Sequence, residues 1–174
     1  VLQRLPESSP GVGVVQHMPA GFTKMYAQRL DKLCAMEVVE AENNMRLERG
    51  RVIIAAGGMH LRLARDLRGY YVRSQPGEKV SGHCPSVDVL FKSVAEVVGD
   101  KAVGVILTGM GADGSKGLLK MRQKGAYTIG QDKESCVVYG MPMVAYNIGA
   151  VAKQLPLDAI GSQIICHLNN SCAD

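Results

Sequence analysis

The run Ala102-Val103-Gly104-Val105-Ile106-Leu107, followed at once by Thr108-Gly109-Met110-Gly111-Ala112-Asp113-Gly114-Ser115, most constrains how this chain can fold. A short continuous apolar run leading into a glycine cluster reads as a strand buried on both faces. Lys116-Gly117-Leu118-Leu119-Lys120-Met121 then has helical spacing, so the glycines occupy a strand-to-helix turn. In open α/β sheets, ligands bind at the carboxyl ends of the strands, where this turn lies. The turn carries one acid, Asp113, where a helix N-terminus favours an ionised carboxylate. It either orients a histidine or caps a helix, and the turn alone leaves both open.

The rest of the chain repeats the alternation. Strands are expected at residues 13–16, 37–40, 52–55, 103–107, 126–130 and 150–154. Helices are expected at 22–34, 115–124 and 142–147 and from Asp158 onward. Ser86 stands as the cap of a further helix whose apolar face is Val87, Leu90, Phe91, Val94, Val97 and Val98. Residues 59–65 and 70–73 alternate apolar and polar side chains and are joined through Gly69, which predicts a half-exposed antiparallel hairpin. The pattern is that of a three-layer α/β domain with a mostly parallel sheet. Val1-Leu2-Gln3-Arg4-Leu5-Pro6 reads as the last turn of an amphipathic helix, so the chain is expected to begin inside an element.

Composition narrows the function classes. The 174 residues are 47% hydrophobic and 21% charged, enough for one domain with a real core. A net charge of +4, interleaved signs, no Trp and 5% aromatic residues leave neither the basic stripe nor the stacking platform of a nucleic-acid binder. No apolar run reaches the ~20 residues that span a bilayer, so membrane insertion is not expected. Five cysteines (Cys34, Cys84, Cys136, Cys166, Cys172) at irregular spacing argue against a disulfide framework and for a reducing compartment, the cytoplasm by default.

The residues offer two chemistries. Gly109-Met110-Gly111-Ala112-Asp113-Gly114 matches G-x-G-x-x-G, and Asp132, after the next strand, stands where a ribose-binding acid would be. That is the dinucleotide reading, an oxidoreductase of Rossmann type. Against it, Asp113 would set a carboxylate among the amides that should cradle a pyrophosphate. The other chemistry joins Asp113 to His17, which follows the 13–16 strand and so points at the same crevice. In such a pair the carboxylate fixes the imidazole tautomer and stabilises the imidazolium that forms when histidine acts as a base. His60 reads as a half-exposed strand residue, His167 as a solvated helical one, and His83 as a loop residue able to border a site. No His or Cys pair has metal-ligand spacing, so no metal is expected. Ser86 reads as a helix cap rather than a nucleophile; Cys84 and Cys136 are conceivable nucleophiles but read first as small apolar residues.

Four segments carry a resemblance: Gln16-His17-Met18-Pro19-Ala20-Gly21-Phe22, Pro85-Ser86-Val87-Asp88-Val89-Leu90-Phe91, Gly104 through Gly114, and Ser135-Cys136-Val137-Val138-Tyr139-Gly140-Met141-Pro142. In this order they resemble the catalytic domain of the CheB-type chemotaxis receptor protein-glutamate methylesterases, from the first residues to about Leu157. The resemblance implies a Ser-His-Asp hydrolase on a doubly wound α/β sandwich with an added antiparallel hairpin. It also implies removal of methyl groups from methyl-glutamyl side chains, and deamidation of glutamines, on the cytoplasmic helices of chemoreceptors. His17 matches the family's catalytic histidine, Asp113 its catalytic aspartate, and Met110 the residue whose backbone N–H helps bind the oxyanion. No cofactor is implied.

The family's nucleophile lies on a Gly-Ala-Ser-Thr-Gly-Gly-like turn about ten residues before what is Val1 here, so residues 1–174 are expected to be the catalytic domain without its first strand and nucleophile turn. A receiver domain precedes this one in the family and is likewise expected to be absent from these residues. Ser8 and Ser9 precede the strand leading to His17 and so belong to its opposite end. His83-Cys84-Pro85 carries a cysteine where the family has a basic residue. A non-catalytic interaction domain that kept the fold but lost the serine is a further alternative.

Overall fold

A computed structural model describes residues 1–170. Its elements run β1 (Val12–Val14), α1 (Phe22–Asp31), β2 (Glu37–Glu40), β3 (Arg51–Ile54), β4 (His60–Asp66), β5 (Gly69–Gln75), α2 (Val87–Val97), β6 (Val103–Ile106), α3 (Ser115–Gln123), β7 (Tyr127–Gln131), α4 (Met141–Asn147), β8 (Lys153–Leu155) and α5 (Leu157–Asn170). The expected strands and helices are present, most with shifted ends. The first helix stops at Asp31 rather than residue 34 because the Asp31 carboxylate accepts the Val38 amide at 2.8 Å, drawing the chain into β2. Leu2–Arg4 form a single 3₁₀ turn, and Leu5 after it is buried in the core. Cys34, Cys84 and Cys136 are free thiols, and Cys172 lies outside the described residues.

The parallel strands form two three-stranded sheets, ordered β1-β3-β2 and β6-β7-β8, each wholly parallel. The two sheets share one apolar face and so form one layer of a sandwich. Val12, Val14, Val52 and Ile54 of the first sheet share an apolar cluster with Val103, Val105 and Ile129 of the second. Ala27 of α1 and Ile160 and Ile164 of α5 cover that common face. On the opposite face Ile106 packs with Val87 and Phe91 of α2, Leu118 and Met121 of α3 and Ala145 of α4. Ile53 packs there with Leu61, Leu63 and Val72 of the hairpin and Leu90 of α2. Helices therefore cover both faces, and α2 bridges the two halves.

The β4–β5 hairpin is antiparallel, as its alternation requires, with Leu61, Leu63 and Val72 turned inward. Of the first sheet's strands, β1 is the edge nearest the second sheet, because the loops that follow β1 and β6 meet at His17 and Asp113. Among the described residues each of these two strands pairs on one side. The carboxyl ends of both open on the same crevice, where the site lies.

Candidate active site

His17 leaves β1 three residues past its last ladder position, in a loop held from behind by backbone. Gly57 packs so tightly against Pro19-Ala20 that a Cβ there would run into the Pro19 carbonyl carbon and the Ala20 nitrogen. The Gly57 amide also donates to Thr23 Oγ1 at 3.0 Å, tying the start of α1 to the same segment. The His17 side chain is thereby presented at the sheet edge, 23% exposed.

Its Nε2 lies 2.7 Å from Asp113 Oδ2. Asp113 is 1% exposed, and a carboxylate so deeply buried must be fully hydrogen-bonded to stay ionised. It accepts four donors, two per oxygen. Oδ1 takes the Ser86 hydroxyl at 2.7 Å and the Asp88 amide at 3.1 Å; Oδ2 takes the Val87 amide at 2.8 Å and His17. Burial alone would push the carboxyl upward. The hydrogen bonds from His17, Ser86 and the two amides outweigh it and hold it at about 2. With Nε2–H given to the carboxylate, His17 Nδ1 is the nitrogen left to take a proton.

Orienting a histidine and capping a helix are therefore not alternatives for Asp113. It does both, and the helix it caps is α2, 25 positions away in sequence, rather than α3, which it precedes. That corrects the role read for Ser86: it occupies the N-cap position, but its hydroxyl makes no capping bond and donates to Asp113 instead.

Of the other histidines, His60 departs from its sequence reading and His83 follows it. His60 is 4% exposed, not half-exposed; its Nε2 lies 2.7 Å from Glu78 O, and its Nδ1 accepts the Ser86 amide at 3.3 Å. The hairpin folds back over its solvent side with Gly77 against the ring. His83 borders the site directly, its ring stacked on His17 with centroids 3.7 Å apart and planes 8° from parallel. The reciprocal backbone bonds of Val80 and His83 close a two-residue turn, with positive φ at both Ser81 and Gly82, that fixes its approach. Burial, and then the neighbouring His17, hold the His83 imidazole below its ordinary value. His167 stacks on Tyr127 at the far end of the molecule.

The segment after β6 is tied down from the other side. Gly109 N donates to Val138 O at 3.1 Å, Met141 N to Gly109 O at 2.8 Å, and the buried Gln131 accepts the Thr108 amide at 2.8 Å. Met110 between these ties is 82% exposed, at the rim of the crevice. Ser9 lies at the other end of β1, bonded to Gly50, far from His17. Among the described residues no group of three His, Cys, Asp or Glu side chains is arranged to hold a metal.

The family model for the CheB methylesterase matches residues 1–164. This chain belongs to that family. It is 56% identical over 169 residues to a protein-glutamate methylesterase/protein-glutamine glutaminase of Syntrophomonas wolfei, covering 97% of this chain and 50% of that protein. It is 55% identical over 164 residues to the corresponding protein of Sulfurimonas denitrificans, covering 94% and 47%. The chain thus spans about half the length of the curated relatives it matches. The crystal structure of the Thermotoga maritima CheB methylesterase catalytic domain superimposes with a TM-score of 0.92 at 38% identity, over 95% of this chain and 88% of that one. The doubly wound CheB sandwich with its extra hairpin is the fold of this chain.

Proposed function

We propose that His17 and Asp113 are the base and the orienting acid of a Ser-His-Asp methylesterase, with the serine on a strand and turn that precede residue 1. The observation that carries this is the 2.7 Å bond between His17 and a carboxylate that four donors keep ionised. The relatives are named for the reaction, hydrolysis of protein-glutamate methyl esters and of glutamine amides. The one-sided pairing of β1 and β6 supports a strand between them.

In this reading His17 Nδ1 takes the serine proton as the serine oxygen attacks the ester carbonyl. Asp113 stabilises the imidazolium so formed. The Met110 N–H faces the negative oxygen of the tetrahedral intermediate. Collapse expels methanol, which takes the proton from Nδ1, and leaves an acyl-serine. Water repeats the sequence, giving the glutamate carboxylate and the free serine. Nothing in these steps needs a cofactor. The substrate is a methylated glutamyl side chain on a cytoplasmic chemoreceptor helix, and the receiver domain of the intact protein is the second partner.

The dinucleotide reading is disfavoured by charge. The α3 amide that would meet a phosphate, Gly117 N–H, is already bonded to the Asp88 carboxylate at 2.6 Å, and Asp113 lies beside it. Methanol release from methylated receptor, measured on residues 1–174 and on the same chain extended by its upstream strand and turn, tests the proposal. Activity is expected only in the extended protein. Equal activity in both would put the nucleophile within residues 1–174.

A further inference from the structure

We propose that Ser86 and His60 are positioning residues for the His17–Asp113 pair, acting in series from the β4–β5 hairpin to the imidazole. This rests on the catalytic reading above and deepens it. Ser86 and His60 are both buried, at 0% and 4% exposure, and neither touches the crevice, so neither is a catalytic residue.

The chain of contacts is continuous. Glu78 O lies 2.7 Å from His60 Nε2, which requires the proton on that nitrogen. His60 Nδ1 is therefore an acceptor, and it receives the Ser86 amide at 3.3 Å. Ser86 Oγ donates to Asp113 Oδ1 at 2.7 Å, and Asp113 Oδ2 receives His17 Nε2 at 2.7 Å.

Each link does something that the fold alone does not need. An N-cap serine ordinarily spends its hydroxyl on a first-turn amide of its own helix. Here the Asp88 amide, one of its usual targets, is taken by Asp113, and the Ser86 hydroxyl makes no capping bond but holds the carboxylate. Without it, Oδ1 would keep only the 3.1 Å amide bond from Asp88, and the carboxylate would be freer to turn about its Cβ–Cγ bond. A small rotation there carries Oδ2, and with it the imidazole, out of line. His60 in turn is the acceptor for the Ser86 amide. It fixes the peptide plane from which the hydroxyl is aimed. Outer partners of this kind orient the groups that react and are felt in rate rather than in substrate binding.

The test compares Ser86→Ala, His60→Gln and His60→Asn in the full-length protein, with a second readout on the wild-type and variant chains. Asparagine can set its Oδ1 where His60 Nδ1 stands and still accept the Ser86 amide. Glutamine reaches the Nε2 position and keeps only the Glu78 contact. Ser86→Ala and His60→Gln are expected to lower kcat by about tenfold with KM within about twofold. His60→Asn should retain most of kcat. The second readout is the downfield proton of His17 Nε2–H in the NMR spectrum. It is expected to exchange with water about tenfold faster in Ser86→Ala and His60→Gln, and near the wild-type rate in His60→Asn. Wild-type kcat and exchange in Ser86→Ala would overturn the positioning. Equal losses in His60→Asn and His60→Gln that track their thermal midpoints would also overturn it, as a merely structural effect. Faster exchange with unchanged kcat would overturn the catalytic reading on which the proposal rests.

Discussion

Asp88 and Asp113 each serve the other's helix: Asp113, in the turn before α3, accepts the first amides of α2, and Asp88, in the first turn of α2, accepts the Gly117 amide of α3. The two helix N-termini thereby meet over a pair of buried carboxylates. Each negative charge lies in the positive field of the other helix's exposed amides. The exchange locks α2 to α3 at the place where Asp113 must hold His17.

Breaking either half should therefore loosen both. Asp88→Ala and Asp113→Ala are each expected to cost about 1–3 kcal/mol of unfolding free energy, the range for orphaned buried partners. The double variant should cost clearly less than the sum, since the two share one interface. Urea unfolding of the three variants measures this. Strict additivity would mean that the two caps act independently.

A methyl group at Gly117 tests the same contact sterically. Its Cβ would meet Phe91 Cβ at 2.7 Å and the Asp88 carbonyl oxygen and Oδ1 at 3.0 and 3.1 Å. Gly117→Ala should destabilise by about 1–3 kcal/mol despite alanine's better helix propensity. A stabilised variant in thermal unfolding would contradict the packing of α2 on α3.

The fold was legible because its periodicities are clean. The apolar run before Thr108 and the alternation at residues 59–65 each allow one kind of strand, and Ser86 marked the start of α2 correctly. The site was legible only in part. His17 and Asp113 could be paired because both end parallel strands. The partners of Asp113 could not, since a carboxylate capping a helix 25 residues away leaves no local pattern. His60 was misread for a similar reason. Alternation gives the face of a strand residue, but only the return of the chain at Gly77 and Glu78 buries that face. The His17–His83 stack depends on the loop between β5 and α2, whose path no periodicity encodes.

Acid should weaken the fold in two windows. His83 is held below its ordinary 6.5, so the unfolded chain binds its proton first and stability falls as the pH drops below about 6.5. Asp113 is held at about 2 against 3.8, so its contribution is complete above about pH 5 and is lost between roughly pH 4 and pH 2. For a carboxylate this buried, that loss is on the order of 2–3 kcal/mol. Urea midpoints at about pH 7, 5 and 3 should fall mildly and then steeply, and Asp113→Asn should flatten the steep part. The same steep fall in Asp113→Asn would assign it to other carboxylates.

The flat stack on His17 gives a separate expectation. Replacing His83 by Ala removes a ring contact worth about 0.5–1.5 kcal/mol and wets one face of the His17 ring. In the full-length protein kcat for methanol release should fall by up to roughly tenfold. His83→Phe should keep most of the rate, because the ring, not its nitrogens, makes the contact. A phenylalanine variant as slow as the alanine one would show that a His83 nitrogen takes part directly.

The most direct test of the account is the rate of methanol release from methylated receptor by the full-length protein carrying His17→Ala. If His17 is the base proposed above, kcat should fall by about 10⁴–10⁶ while the protein stays folded and binds receptor as before. A His17→Ala protein that releases methanol at the wild-type rate would contradict the role proposed for the His17–Asp113 pair.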